Sequence, residues 1–147
     1  LAAPVAWLPT LSVVVRDLGD TRFNAGAGLR QSTSERPATM KQDIDVAVAV
    51  FPIHSKDSRS TFTAEFRKIQ EAAEVSDKSR YTHIGYEYNY GDVYFLRAGM
   101  NQKYWTAGFE VASEYTQFQV ALYGEDIGTP TKPEEQRRMV FKFAFRF

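Results

Sequence analysis

Cysteine is absent from the 147-residue chain, which removes disulfides, thiolate catalysis and cysteine-based zinc sites together. That absence fits any compartment, an oxidising cell envelope included. Charge of one sign is missing too. With 18 basic and 18 acidic side chains no global field recruits an anionic surface, and no basic patch offers a nucleic-acid interface. No run of about 18 apolar residues occurs, which excludes a transmembrane helix. Membrane strands stay open, because they are short and half apolar and leave hydropathy averages looking soluble. The chain starts at Leu1 without Met and without a basic stretch followed by an apolar one, so a processed mature chain or a fragment is expected. A length of 147 residues suits one domain, with room for a core or for about eight strands.

Aromatic residues are abundant, at 14% with eleven Phe and eight Tyr, a profile of strands and interfaces. Residues 1–9 are apolar but broken by Pro4 and Pro9, which predicts an extended lead-in segment. Alternation then begins. Leu11, Val13 and Val15 oppose Ser12, Val14 and Arg16 in a first strand, and Ile44, Val46, Val48 and Val50 oppose Asp45, Ala47 and Ala49 in a second that Pro52 ends. A third strand over 60–68 sets Phe62, Ala64 and Phe66 against Glu65 and Arg67, with a helical turn allowed in 70–79. Strands over 81–89 and 93–100 flank the turn residues Asn89, Gly91 and Asp92. A sixth carries Trp105, Ala107, Phe109 and Val111 on one face, and Ser113-Glu114 leads into a seventh with Phe118, Val120 and Leu122. Residues 18–40 and 124–136 read as long polar loops. Within the first, Ala25-Gly26-Ala27-Gly28 lacks the spacing of a dinucleotide fingerprint and reads as loop.

The last seven residues repeat the pattern most sharply: Phe141, Phe143, Phe145 and Phe147 alternate with Lys142, Ala144 and Arg146, one face wholly apolar and the other small or charged. This stretch resembles the terminal strand of bacterial outer-membrane β-barrels, which ends in an aromatic and is presented to the assembly machinery. By that resemblance the four phenylalanines are an assembly signal. The opposite face of the strands collects Arg16, Asp45, Glu65, Arg67, His83, Glu87, Arg97, Glu110, Lys142 and Arg146, interleaved with Gly and Ala. Charges of both signs beside small residues suit the crowded inside of a narrow barrel, where they form a lumen charge network. A soluble lipocalin-type barrel needs the reverse, an apolar inside and a polar outside.

The run 96–109 (LRAGMNQKYWTAGF), with Tyr123-Gly124-Glu125-Asp126-Ile127-Gly128 and the strand after Gln136, is similar to the C-terminal part of uncharacterised outer-membrane barrels related to the long-chain fatty-acid transporter and the type IX secretion shuttle barrel. The expectation is therefore an all-β fold. It is an antiparallel transmembrane β-barrel of about eight strands, one domain over 1–147 in the bacterial outer membrane of a Gram-negative envelope. It is either a small closed barrel or the C-terminal part of a larger, porin-like one, since those relatives have about fourteen strands. Short turns fall on the periplasmic side and the segments 18–40, 69–80 and 124–136 outside. The resemblance implies transport or envelope assembly. A structural or partner-binding role through the outer loops is the alternative, and a lipid-modifying enzyme the third reading. Expected partners are outer-membrane lipid, the barrel-assembly machinery and other envelope proteins, with no nucleic acid.

For catalysis the chain offers two histidines. His54 reads as an exposed turn residue, and His83 shares a face with Glu87 and could pair with an interior carboxylate. Ser12, Ser60 and Ser113 are available as nucleophiles, yet no Gly-x-Ser-x-Gly context surrounds any of them. Glu125, Asp126, Glu134 and Glu135 lie in a polar loop without metal-ligand spacing and read as solvated. Not an enzyme, with no cofactor and no metal, is the expectation.

Overall fold

A computed structural model describes residues 7–23, 37–129 and 132–146. Residues 1–6 of the lead-in segment, the 25–28 stretch and Phe147 lie outside the described residues. Nine strands form one antiparallel sheet. β1 (Thr10–Arg16), β2 (Asp43–Val50), β4 (Ser58–Phe66), β5 (Thr82–Tyr90), β6 (Tyr94–Asn101), β7 (Tyr104–Ala112), β8 (Thr116–Asp126) and β9 (Glu135–Phe145) follow one another in chain order, and the short β3 (Ile53–Ser55) folds back on β4. The eight-strand path agrees with the alternation, and β3 is an addition that it did not announce. α1 (Ile69–Ala73) and a 3-10 turn (Lys78–Tyr81) fill the β4–β5 connection. No described helix is long and apolar enough to cross a membrane.

Residues directly opposite across an antiparallel pair point to the same side, so the registers define two faces. Leu11, Val48, Ala64, Ile84, Met100 and Trp105 lie in one row. Tyr88, Leu96, Phe109, Val120 and Phe141 lie in another on the same side. On the other side run Thr61, Glu87, Arg97, Gly108 and Ala121. The faces differ in burial, and in the direction opposite to a soluble domain. Most of the large apolar side chains are exposed, while Asp45, Asn89 and Glu110 are buried. Ala72 and Tyr81 are the only buried hydrophobic residues described. In a single layer, one face becomes the more sheltered only if the sheet bends towards it, so the sheet curls around its polar side.

The turns follow from their residues. Gly91 and Asp92 both take positive φ (63° and 55°), and the Asn89 carboxamide accepts from the Asp92 amide at 3.0 Å, local bonding that suits Asn and Asp to tight turns. Ser113 plays the same part before β8, where its hydroxyl accepts from the Thr116 amide at 3.0 Å. Glycine is required at Gly99, where a Cβ would sit 2.4 Å from the Ile84 carbonyl oxygen.

Two expectations change. The polar loop read over 124–136 is shorter than that at both ends: β8 continues to Asp126 and pairs with β9 through Gly124↔Arg137, Glu125↔Gln136 and Asp126↔Glu135, which leaves 127–134 as the connection. Polar composition hid this, since the hairpin's tip lies beyond the apolar rows and has no greasy face to alternate. The sheet is also not closed. Among the described residues β1 pairs only with β2 and β9 only with β8, so each shows one edge without a strand partner there.

Candidate functional site

The polar face gathers its charges through register. Glu87 stands opposite Arg97, and the guanidinium donates from Nε to Glu87 Oε2 at 2.6 Å. Opposite Arg97 on the next strand is Gly108. With no side chain there, Arg97 Nη1 passes over to Glu110 Oε2 at 2.7 Å. Gln117 donates to the other oxygen of Glu110. The cluster is a cation between two carboxylates, each hydrogen-bonded, the arrangement that makes sheltered charge tolerable.

The ten charged residues predicted as one network form separate groups. Arg16 pairs with Asp45 at 2.5 Å, and Asp45 also accepts from the Lys68 amide at 2.8 Å. Arg67 meets Glu65 at 3.9 Å. His83 bonds Asn101, not the expected carboxylate: its Nδ1 lies 2.7 Å from Asn101 Oδ1, because the register puts Asn101 opposite it while Glu87 is taken by Arg97. Lys142 and Arg146 are exposed, and no side-chain hydrogen bond or ion pair joins them to the others among the described residues. Strands are spaced by about 4.8 Å, so β1 and β7, five steps apart in the sheet order, cannot share a side-chain network across an open sheet. Phe141, Phe143 and Phe145 of the expected assembly signal are exposed on the apolar face, with Phe143 and Phe145 in an edge-to-face contact at 4.5 Å.

A second polar centre was not anticipated. Asp126, read as solvated, has a fully buried side chain that meets Arg80 Nε at 3.2 Å. Its other oxygen accepts from the amides of Gly128 and Glu134, each at 3.0 Å. Arg80 also donates to the Gly128 carbonyl at 2.9 Å, and the Asp126 amide donates to Gln102 Oε1 at 2.8 Å. Burial pushes the Asp126 carboxyl up, but the two amides and Arg80 outweigh it and hold the carboxyl below its ordinary value. This clasp ties the 3-10 turn, the β6–β7 turn and the β8–β9 hairpin together beyond the apolar rows. The Asp-x-Gly spacing at 126–128, an Asx-turn pattern, was the available signal for it.

His54, read as an exposed turn residue, is exposed but sits in a strand, β3, and not in a turn. Its Nε2 is 2.8 Å from Ser60 Oγ. This is a serine–histidine contact, but Ser60 is 2% exposed and its oxygen also meets the Tyr86 hydroxyl at 3.1 Å. The two neighbours satisfy a buried hydroxyl on an apolar face. A nucleophile needs an open approach to its oxygen, and this one is covered. Among the described residues no cluster of three or more His, Asp or Glu could hold a metal ion.

The chain matches no family model, no curated protein and no solved structure.

Proposed function

We propose that this sheet is a wall of a β-barrel in the bacterial outer membrane, its apolar face against lipid and its charged face towards the interior, serving transport or envelope assembly. One observation carries the reading: across the inner strands the large apolar residues stand exposed on one face while charged and amide groups such as Asp45, Asn89, Arg97 and Glu110 occupy the more sheltered one, and the apolar rows continue into the edge strands β1 and β9, where both faces are open. The exposed apolar area is on the order of 10³ Å², beyond the ~300–600 Å² of the largest patch on an ordinary soluble monomer. On β9 the apolar positions run from Met139 to Phe145, about 20 Å along the strand and similar to the ~25 Å apolar band of outer-membrane barrels. Trp105 and the Arg137 guanidinium stacked 4.3 Å from its ring lie at one margin of the band, and Tyr90 and Tyr94 near the other, where interfacial aromatics belong.

Among the described residues β1 and β9 each show one edge without a strand partner, which favours a wall completed by further strands over a small closed barrel, because unpaired backbone groups are not tolerated in the hydrocarbon. Membrane fractionation tests the proposal. The chain should sediment with the outer membrane, require detergent for extraction and migrate differently on gels with and without boiling. A monodisperse protein in plain buffer would overturn it.

A further inference from the structure

At the rim of the polar face, the end of β4, α1, the 3-10 turn and the β6–β7 turn border an open cleft of ≈ 370 Å³, within the ~300–1,000 Å³ range of small-ligand sites. Three cations, Arg67, Lys68 and Arg80, line it against one carboxylate, Glu71. Two of the cations are committed. Lys68 Nζ donates to Glu71 at 2.8 Å, and Arg80 is held by Asp126 and the Gly128 carbonyl. The Glu71 oxygen left over accepts from the Tyr81 hydroxyl at 3.2 Å.

Three groups are left with unused capacity, and their hydrogen-bond partners define its sign. Arg67 has the longest ion pair among the described residues, 3.9 Å to Glu65, so its planar fork of donors is largely unspent. Gln102 uses its Oε1 to accept from the Asp126 amide, which leaves its NH₂ group as a donor. Asn101 donates from Nδ2 to the Gly124 carbonyl at 3.1 Å. Its Oδ1 therefore faces His83 and accepts the proton of Nδ1, so the neutral ring keeps a lone pair on Nε2. Lys68, beside the cleft, takes a left-handed backbone conformation at φ 51° that the Asp45 carboxylate holds through the Lys68 amide, a strained conformation of the kind that gathers at ligand sites.

A ligand that satisfies all three must present anionic oxygens to Arg67 and Gln102 and a hydroxyl proton to His83 Nε2. We propose that this cleft binds inorganic phosphate, which near neutral pH still carries a P–OH proton. Sulfate has the same shape and charge but carries no proton near neutral pH, so its oxygen would oppose the lone pair of His83. The inference needs only the folded rim and stands apart from the membrane reading.

The test is calorimetric titration of the full folded chain with inorganic phosphate at pH 7.5, and with sulfate at equal ionic strength. Saturable phosphate binding with at least tenfold weaker sulfate binding is expected from the unmodified chain. Loss of an arginine fork, in Arg67→Gln, should weaken phosphate about tenfold or more, while Arg59→Gln, at the other end of the sheet against Asp92, should leave it unchanged. His83→Leu should erase the preference over sulfate. Glycerol phosphate, whose monoester dianion like sulfate lacks that proton at pH 7.5, should bind as weakly as sulfate, and glycerol phosphate binding as tight as inorganic phosphate would contradict the role given to His83. No saturable phosphate binding, equal affinity for sulfate, or indifference to Arg67→Gln would each overturn the assignment.

Discussion

Leu96 gives the sharpest test of which side of the sheet meets lipid. It is 53% exposed and sits mid-row on the apolar face between Tyr88 and Phe109. If that face were in water, Leu96→Arg would be a surface substitution worth within about 0.5 kcal/mol. At mid-depth in a bilayer the same change should cost about 2–4 kcal/mol, a factor of roughly 30 to 900 in the folding equilibrium. Gln119→Arg supplies the control. Gln119 lies on the polar face between Glu110 and Lys142, where an added arginine gains one carboxylate and meets one ammonium, for a net effect within about 1 kcal/mol. Both variants are to be unfolded in urea from phospholipid vesicles, with Trp105 fluorescence as the signal. A Leu96→Arg cost under 0.5 kcal/mol, or one no larger than that of Gln119→Arg, would refute the face assignment and the membrane reading with it.

On the terminal strand, Phe143→Asp should impair insertion far more than Lys142→Gln, measured as the heat-modifiable fraction on gels, because only the first puts charge on the apolar face. Arg97→Met leaves the Glu87 and Glu110 carboxylates without the cation between them and should cost about 3 kcal/mol, the low end for a broken sheltered pair because Arg97 and Glu87 are each one-third exposed. Denaturant titration should show most of that recovered when both glutamates are also changed to Gln. Gly99→Ala drives a Cβ against the Ile84 carbonyl, whereas at Gly85 the obstacle is the Thr63 hydroxyl, a side chain that can turn away; thermal unfolding should find Gly99→Ala the more destabilising, by about 1–3 kcal/mol. The Asp126 carboxyl is held below its ordinary value in the folded chain, so its contribution is complete above the unfolded value of ~3.9 and is lost as pH falls through the lower folded value. Exchange protection of the Gly128 and Glu134 amides should therefore persist at pH 5 and decline only under stronger acid, and protection lost at pH 5 would contradict the clasp.

Alternation is a local property, and it is why the strands could be read without coordinates. A residue's face depends only on its parity, so Phe141, Phe143 and Phe145, or Tyr94, Leu96 and Met100, declare a common side from neighbours two positions away. The turn at Asn89–Asp92 was legible for a similar reason, since its hydrogen bonds close within four residues. Where the rows of apolar residues ended, the reading ended with them. β8 and β9 extend past the greasy rows through Gly124–Asp126 and Glu135–Arg138, and polar strand ends have no contrast between faces. Register is a property of pairs of strands. It paired Glu87 with Arg97 and not with His83, set Asn101 against His83, and let Gly108 open the way from Arg97 to Glu110. The Arg80–Asp126 clasp joins residues 46 positions apart in the chain through three turns, and neither residue type announces burial. Whether one polar face holds one network or several depended on the openness of the sheet, a distance between β1 and β9 that parity along a strand does not encode.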